Sequence, residues 1–358
     1  LLVNKSLQIG YFPEEWKNAL VTPLLKKLGL EITFPNFRSV SNLPFISKLT
    51  EKASVSQMNQ HMREKRPLPT LQSAYKPFHS TETALLKVQS DILLNMDNQR
   101  VTLMVMLDLS AAFDTIDHDI LLEKLRSEVG LDGTALQWFI SYLANRTQQV
   151  RVKGENSGKI DLDTGVPQGS CLGPVLFNIY AADLFRIIDK HLPDAIGWAD
   201  DHTLYLSFRP LPSTNQTDAL IAMQNCIVEI KNWMIPNSVM INDNKTEAEL
   251  FGSRQQLERV NISFVQVGNE QIAPVNSVRN LGVMFDSNMK MDLHITKVCK
   301  TAYYHLHNIR RIRKYLTPEA TCSIIHAFVS SQIDYCNSLL NRLPAHLIKN
   351  MYKTSLPG

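Results

Sequence analysis

Two adjacent aspartates, Asp200 and Asp201, stand inside the segment Ile196–Leu206 with apolar residues on both sides of the pair. This pattern predicts a β-hairpin with an acidic turn. Two neighbouring carboxylates repel each other and raise each other's pKa, and a bound divalent cation removes that cost. The pair therefore indicates a Mg²⁺ site, while a solvated surface turn is the alternative for an isolated Asp-Asp.

A further acid follows an unbroken apolar run. Val101–Leu107 has the composition of a buried strand, and Asp108 comes directly after it. A carboxylate at the end of such a strand can meet the acids of a neighbouring hairpin, and three acids can hold two metal ions for an in-line phosphoryl transfer. The alternative is that Asp108 caps a helix that runs into Ala111 and Ala112.

A glycine-rich loop lies between the two acidic segments. In the run 165–174, Gly165, Gly169 and Gly173 permit close approach of the backbone to a ligand, and Pro174 suits the first turn of a helix. An ordinary strand-to-helix loop is the alternative.

Together these segments resemble the reverse transcriptases of non-LTR retrotransposons (long interspersed elements), nearest the jockey-like and chicken-repeat branch. The resemblance extends over nearly the whole chain. The motifs similar to the successive palm motifs are Asp108–His118, Gly165–Ser170 and Ala199–Asp201. Those similar to fingers motifs, to the late palm motif and to the primer grip are Asn36–Lys48, Leu71–Ala84, Asn244–Glu247 and Asn280–Val283.

The resemblance implies an α+β fold, that of a right-hand polymerase with an α/β palm and a helical thumb. We expect fingers in residues 1–98, a palm with the catalytic motifs in 99–285, and a thumb in 286–358. Because the chain begins with Leu1, we expect a fragment or the product of an incomplete gene model. The family's endonuclease domain is expected to be absent, because Leu1–Trp16 already resemble the approach to the fingers and the sequence has no cysteine pair.

Several helices are predicted from local patterns. Apolar residues recur at helical spacing over Thr217–Trp233, which predicts a packed helix. Thr317 followed by Pro318 predicts a helix start, Pro344 predicts a last short helix, and residues 286–358 are predicted to be helical throughout.

The positions of the charged residues along the chain are more informative than the net charge. The 358-residue chain is 44% hydrophobic, enough for a large core, and its net charge is only +3. The segment from Lys290 to Lys314, however, contains seven Lys or Arg residues and a single acid, Asp292. Apolar residues alternate with them at helical spacing, which predicts a basic amphipathic helix that binds nucleic acid, with a solvated basic face as the alternative. The proposed binding residues are Lys297, Lys300, Arg310, Arg311, Arg313 and Lys314.

The five cysteines form no Cys-x-x-Cys pair, so the sequence contains no zinc signature and suits a reducing compartment. No signal peptide or membrane-spanning run is evident. We therefore expect an intracellular protein that is not secreted. The resemblance implies that it is present in the nucleus and cytoplasm as a ribonucleoprotein.

The resemblance implies a catalytic role for four side chains. Asp108, Asp200 and Asp201 would be the ligands of two Mg²⁺ ions, with Mn²⁺ as the alternative ion, and the carbonyl of Leu109 would add a metal contact. Lys245 would protonate the leaving pyrophosphate, with an exposed turn lysine as the alternative.

The resemblance also implies a nucleotide site. Phe113 would lie beneath the sugar and exclude a 2′-hydroxyl, the alternative being a core phenylalanine in the first turn of the next helix. Gln168 and Gly169 would line the nucleotide and template pocket. Arg38 and Lys76 would bind the incoming triphosphate.

Three positions depart from the family pattern. Relatives usually carry Gly-Phe-Arg where this chain has Ala74–Lys76, Trp198 stands in place of Tyr or Phe, and His202 stands in place of a common Thr. None of these changes removes a predicted metal ligand.

The function implied is an RNA-directed DNA polymerase that uses an RNA template, a DNA primer and dNTPs, with a separate endonuclease domain or chain as a further partner and no membrane. The first alternative is a catalytically silent relic or a co-opted RNA-binding protein, which the missing initial methionine and the altered fingers motif favour. The second is an RNA-dependent RNA polymerase, against which Phe113 argues.

Overall fold

The computed structural model describes residues 1–27, 29–65, 69, 72–76, 78–110, 113–192, 194–198, 201–242, 245–341, 343–345 and 347–349. The chain divides into two compact units, each assembled from separate stretches. Unit 1 comprises residues 1–75, 108–190 and 228–242, and unit 2 comprises 76–107, 191–227 and the described part of 243–358. The fingers, palm and thumb boundaries near residues 98 and 285 stay a prediction, because compactness does not define those functional regions.

The regular elements are numbered along the chain. The α-helices are α1 (Leu2–Ile9), α2 (Phe45–Lys65), α3 (Thr81–Asp97), α4 (His118–Ser127), α5 (Gly133–Leu143), α6 (Gly173–Tyr180), α7 (Ala182–His191), α8 (Thr214–Met234), α9 (Arg254–Leu257), α10 (Asp292–Ile312), α11 (Pro318–Ile325) and α12 (Ser331–Asp334). The strands are β1 (Ala19–Leu25), β2 (Phe37–Asn42), β3 (Val101–Ser110), β4 (Thr147–Val152), β5 (Glu155–Asn156), β6 (Ile160–Asp161), β7 (Asp194–Trp198), β8 (Asp201–Phe208), β9 (Met240–Ile241), β10 (Glu247–Phe251), β11 (Val265–Val267), β12 (Glu270–Ile272), β13 (Pro274–Val275), β14 (Ser277–Asn280) and β15 (Val283–Asp286). Short 3₁₀ turns cover Glu14–Trp16, Phe34–Asn36, Arg313–Tyr315 and Asn337–Leu340, and His326–Ser330 is π-helical.

Unit 1 is organised around a mixed sheet and an aromatic core. The strand order is β2-β1-β4-β5, with β6 paired to β4, and β1 runs antiparallel to β2 but parallel to β4. The ring centroid of Phe12 lies 5.4 Å from that of Trp138 and 5.1 Å from that of Tyr142, and both pairs are edge-on. Edge-on aromatic pairs stabilise a core beyond the area they bury, so these contacts anchor α5 to the N-terminal segment.

Unit 2 contains the sheet β13-β10-β3-β8-β7. Its central strand β3 is the predicted buried strand, and that prediction is confirmed because Val101, Leu103 and Val105 are fully buried. From Asp108 onward the strand belongs to unit 1, where Leu109 pairs with Ile241 of β9. Asp108 therefore lies within a strand, and the alternative that it caps a helix is wrong.

The apolar core of unit 2 joins α3 to the sheet and to the hairpin β14–β15. Leu85, Val88 and Ile92 of α3 share this core with Val278 and Phe285 of the hairpin. Helix α3 begins at a reciprocal cap between Ser80 and Thr83. The result is a mixture of sheets and helices, which confirms the predicted α+β class.

The helices predicted from local patterns are confirmed. Helix α8 contains the predicted segment, and Thr317 Oγ1 accepts from the amide of Ala320 at the start of α11. The carbonyl of Pro344 accepts from the amide of Leu347, and the described residues 345 and 347–349 are helical. After Asp286, every regular element in the described part of the chain is helical. Within those residues, no helix has both the length and the apolar character needed to cross a bilayer.

Candidate active site

Asp108 lies on the polar side of an otherwise apolar strand. Its neighbours Leu107 and Leu109 are buried, whereas Asp108 is half-buried, because successive side chains of a strand point to opposite faces. The carbonyl of Asp108 accepts from the amide of Asn242 at 2.8 Å, and Leu109 pairs with Ile241. Ile241 of β9 and Asn242, which follows β9, thus hold the strand end that presents the carboxylate. A metal contact from the Leu109 carbonyl stays a prediction.

The second acidic segment forms the predicted hairpin, with one correction. Strands β7 and β8 pair antiparallel with Trp198 opposite Asp201. Asp201 is therefore the first residue of β8, where it is exposed, and it does not belong to the turn as predicted. Asp200 and Ala199, which join the two strands, lie outside the described residues.

The acids fit a hard divalent cation by their chemistry. Carboxylate oxygens are the ligands that Mg²⁺ and Mn²⁺ prefer. In the described part of the chain no three His, Cys, Asp or Glu residues are grouped to hold a metal, and the predicted set includes Asp200, which is outside that part. Asp108 belongs to unit 1 and Asp201 to unit 2. That the three acids form one metal site stays a prediction.

The glycine-rich loop lies against the backbone of its own unit. Gly165 has φ +79°, and a Cβ there would lie 2.6 Å from the carbonyl oxygen of Asp114. Gly169 has φ +119°, and a Cβ there would lie 2.8 Å from the carbonyl oxygen of Ser41. Both positions require glycine because the chain packs on itself. The neighbour of each glycine is thus protein backbone, and a close approach to a ligand stays a prediction. Pro174 stands in the first turn of α6, as predicted.

Phe113 lies in the turn that this loop contacts. Its carbonyl accepts from the amide of Val166 at 2.8 Å, and its half-buried ring lies 5.2 Å from that of Phe177 in α6. Because α4 begins only at His118, the alternative that places Phe113 in the first turn of that helix is wrong. The ring is packed on one side and partly exposed. Its role beneath the sugar stays a prediction.

The loop also meets strand β2, which carries Arg38. The amide of Ser41 donates to the carbonyl of Gln168 at 2.8 Å, and the Ser39 hydroxyl donates to Gln168 Oε1 at 3.5 Å. Gln168, Gly169 and Arg38 are all exposed. Side-chain alternation, however, puts Arg38 on the opposite face of β2 from Ser39. The structure therefore brings together the backbones that carry these three predicted residues.

A buried polar network that the sequence does not reveal holds the end of the loop. Glu51 Oε2 accepts from the amide of Cys171 at 2.6 Å, and Glu51 Oε1 accepts from the Tyr142 hydroxyl at 3.3 Å. Ser170 Oγ lies 3.1 Å from that hydroxyl and accepts from the amide of Gly173 at 2.9 Å. Burial raises the pKa of the Tyr142 phenol, so the phenol stays protonated and can donate. No motif marks Glu51, which in the sequence has the pattern of a surface helix residue.

Two predicted lysines belong to unit 2 and differ in environment. Lys76 is half-buried, and burial lowers the pKa of its ammonium group. Lys245 is exposed and lies just before β10, at the end of the β10–β3 pair where Glu247 is opposite Met106. The predicted contact of Lys76 with the triphosphate and the predicted role of Lys245 at the pyrophosphate stay predictions.

The predicted basic amphipathic helix is confirmed as α10 with the 3₁₀ turn that follows it. Ile295, Ala302 and Ile309 face the core. The exposed residues of this segment include all the predicted binding residues, Lys297, Lys300, Arg310, Arg311, Arg313 and Lys314. His294 is buried at the start of the helix, and burial lowers its pKa to about 4, so it carries no charge at neutral pH.

Sequence comparison identifies the family. The family described as "Reverse transcriptase (RNA-dependent DNA polymerase)" matches residues 26–285. The chain belongs to the reverse transcriptase family. The matched range contains every residue predicted to bind metal or nucleotide.

Relatives of this reverse transcriptase chain come from mobile elements. "Probable RNA-directed DNA polymerase from transposon BS" of Drosophila melanogaster is 27% identical over 315 residues, 87% of this chain and 34% of that protein. "RNA-directed DNA polymerase from mobile element jockey" of the same species is 26% identical over 304 residues, 83% of this chain and 32% of that protein. The chain thus spans about a third of the length of these relatives. The predicted resemblance to the jockey branch is confirmed.

Solved structures support the fold. Apo telomerase from Candida Tropicalis aligns with 95% of this chain and 67% of its own, with 12% identity and a TM-score of 0.52. The same telomerase truncated from its C-terminal domain aligns with 77% of this chain and 55% of its own, with 14% identity and a TM-score of 0.51. At such identity the likeness establishes the fold alone, and that fold is the predicted right-hand polymerase.

Proposed function

We propose that this chain is the polymerase portion of an RNA-directed DNA polymerase of a non-LTR retrotransposon. It adds nucleotides from dNTPs to the 3′-hydroxyl of a DNA primer on an RNA template. The observation that carries the proposal is the family match over residues 26–285, which includes the predicted acids at the end of β3 and in the β7–β8 hairpin.

Asp108, Asp200 and Asp201 are the proposed ligands for two Mg²⁺ ions, with Mn²⁺ as the alternative and the Leu109 carbonyl as an additional contact. The half-buried position of Asp108 on a rigid strand supports this assignment, because a preorganised carboxylate loses little freedom on binding. When bound, divalent ions supply the charge that activates the attacking hydroxyl and stabilises the leaving pyrophosphate. Lys245 is proposed to donate a proton to that pyrophosphate, and its exposure leaves it accessible.

The incoming nucleotide is proposed to lie against Phe113, Gln168 and Gly169. The hydrogen bonds that hold the loop to the Phe113 turn and to β2 support a preformed surface there. Arg38 and Lys76 are proposed to bind the triphosphate. Burial lowers the pKa of the Lys76 ammonium group, and a bound phosphate would stabilise the charged form of that group.

The basic side of α10 and of the turn after it is proposed to bind the template–primer phosphates. Its cations extend over several helical turns with one acid, Asp292, at the first position of the helix. Repeated positive charge along one helix face matches the repeated negative charge of a nucleic-acid backbone. A separate endonuclease domain or chain is the further proposed partner. Action as a ribonucleoprotein in the nucleus and cytoplasm is part of the same proposal.

Primer extension tests the proposal. Purified protein is incubated with poly(rA)/oligo(dT), dTTP and Mg²⁺, and the product length is measured. Asp108→Asn and Asp200→Asn should abolish extension while template–primer binding persists, because each change removes one negative charge from the metal ligands and little volume. Asp218→Asn is the matched control, since Asp218 is an exposed acid on α8 away from the motifs.

Two results would contradict the proposal. One is an inactive wild-type protein that still binds RNA, which would favour a silent relic or an RNA-binding protein. The other is wild-type extension by the Asp108 variant, which would remove this acid from the chemistry. Extension with ribonucleotides in place of dTTP would instead favour an RNA polymerase.

A further inference from the structure

The turn between β14 and β15 is strained. Asn280 pairs with Val283, so Leu281 and Gly282 form a two-residue turn. Both have positive φ, 43° and 92°. A turn of this kind suits asparagine or glycine, whereas leucine at its first position costs free energy that other contacts must offset.

Tyr335 provides one of those contacts. Its hydroxyl donates to the carbonyl of Leu281 at 2.7 Å, and a Cβ on Gly282 would lie 3.3 Å from its ring. Tyr335 directly follows α12. The segment after it is anchored independently, since Ser338 Oγ donates to Glu82 Oε1 of α3 at 2.5 Å. The Tyr335 hydroxyl can therefore be removed without releasing the segment.

The other end of the turn is bonded to the strand that carries Asp201. The side-chain amide of Asn280 donates through Nδ2 to Thr203 Oγ1 at 3.2 Å, and both residues are about 5% exposed. Thr203 lies two positions beyond Asp201 in β8, so the two side chains share a face of the strand. Asp201, Thr203, Asn280 and Leu281 line the same small cavity of about 10 Å³, roughly the space of one water molecule.

We propose that Tyr335 and Asn280 are positioning residues for nucleotide addition: through the strained Leu281–Gly282 turn they hold the face of β8 that presents Asp201. This inference rests on the proposed function. Strain of this kind persists only where the surroundings impose it, and here both of the contacts that impose it converge beside a predicted metal ligand. A structural turn alone would need neither a leucine with positive φ nor a buried amide–hydroxyl bond to this strand.

Two substitutions that nearly preserve the shape of the side chain test the inference. Tyr335→Phe removes one hydroxyl, and Thr203→Val removes the acceptor of Asn280. Each should lower kcat for primer extension about fivefold, the equivalent of one hydrogen bond, while KM for dTTP and Kd for template–primer stay unchanged. Thr203→Ser, which keeps the acceptor, should restore kcat.

The matched control is Ser338→Ala, which removes the hydroxyl hydrogen bond to Glu82 from the other anchor of the same segment and leaves the turn alone. It should lower the urea midpoint as Tyr335→Phe does but keep the wild-type kcat. Equal kcat values for these two variants would overturn the inference and leave Tyr335 a purely structural residue.

Hydrogen exchange separates this inference from the proposed function. In Tyr335→Phe the amides of residues 280–283 and 201–204 should exchange faster than in Ser338→Ala, whether or not the wild type polymerises. An inactive wild type with this exchange pattern would contradict the proposed function but support the positioning contact. An active wild type with identical exchange in both variants would remove the positioning contact alone.

Discussion

Glu249 is a buried acid of unit 2. It lies in β10 between Met104 of β3 and Val275 of β13, and it is fully buried. Burial, and to a smaller degree the charge of Asp286, raise the pKa of its carboxyl from 4.5 to about 8. A hydrogen bond of 3.1 Å from the Ser287 hydroxyl offsets only part of this effect. The side chain is therefore protonated in the folded protein at pH 7.

The sign and size of the resulting pH dependence follow from linkage. Below pH 4.5 both folded and unfolded chains hold this proton, and the contribution of Glu249 to stability is fully present. Between pH 4.5 and about 8 only the folded chain holds it, so the free energy of unfolding falls as pH rises. The total loss is at most about 5 kcal/mol, and about 3 kcal/mol of it falls between pH 5.5 and 8.5.

Urea unfolding at pH 5.5, 7 and 8.5, followed by far-UV circular dichroism, measures this loss. Glu249→Gln keeps the shape and an acceptor for Ser287 but cannot ionise, so its unfolding free energy should fall by about 3 kcal/mol less than that of the wild type. Glu247→Gln, an exposed acid of the same strand, should follow the wild type. Parallel curves for wild type and Glu249→Gln would mean that Glu249 does not hold a proton more tightly in the folded chain than in the unfolded chain.

Three further predictions concern the candidate site. Phe113→Ala should raise ribonucleotide incorporation about tenfold or more in a competition assay, since the half-buried ring is the proposed barrier to a 2′-hydroxyl; unchanged discrimination would exclude this role. Replacing Arg310 and Arg311 with Ala should reduce the slope of log Kd against log salt by roughly two, and an unchanged slope would count against phosphate contacts on α10. Gly165→Ala should destabilise the protein by roughly 1–3 kcal/mol in urea, because φ is +79° and Asp114 blocks a Cβ, whereas Gly158→Ala, with open space around it, should not.

Local patterns in the sequence predicted the elements that carry the motifs. The apolar run before Asp108 is typical of a strand buried on both faces, and residues 101–105 of β3 are fully buried. Cations alternating with apolar residues between Lys290 and Lys314 predicted the exposed side of α10. These predictions succeeded because each depends on a periodicity contained within one element.

Periodicity within one element does not predict contacts between residues that are far apart in the sequence. The network of Glu51, Tyr142 and Ser170 joins residues that are far apart in sequence, and no spacing marks them as partners. The sequence predicts that Gly165 and Gly169 approach a ligand closely, whereas the tertiary structure shows that the neighbour of each is backbone of the same unit. The register that places Asp201 at the start of β8 also depends on pairing and not on composition.

The contrast between Asp201 and Glu249 shows why acid motifs alone do not define a metal site. Asp201 is exposed at the start of a strand, where it is accessible to water and to the proposed cation. Glu249 is buried between strands, and because its pKa is about 8 it is a neutral hydrogen-bonding group, not a ligand with charge to offer at neutral pH. In the sequence both are acids close to apolar residues. What separates a candidate ligand from a structural acid is therefore the cost of ionising it, which burial sets and residue type does not.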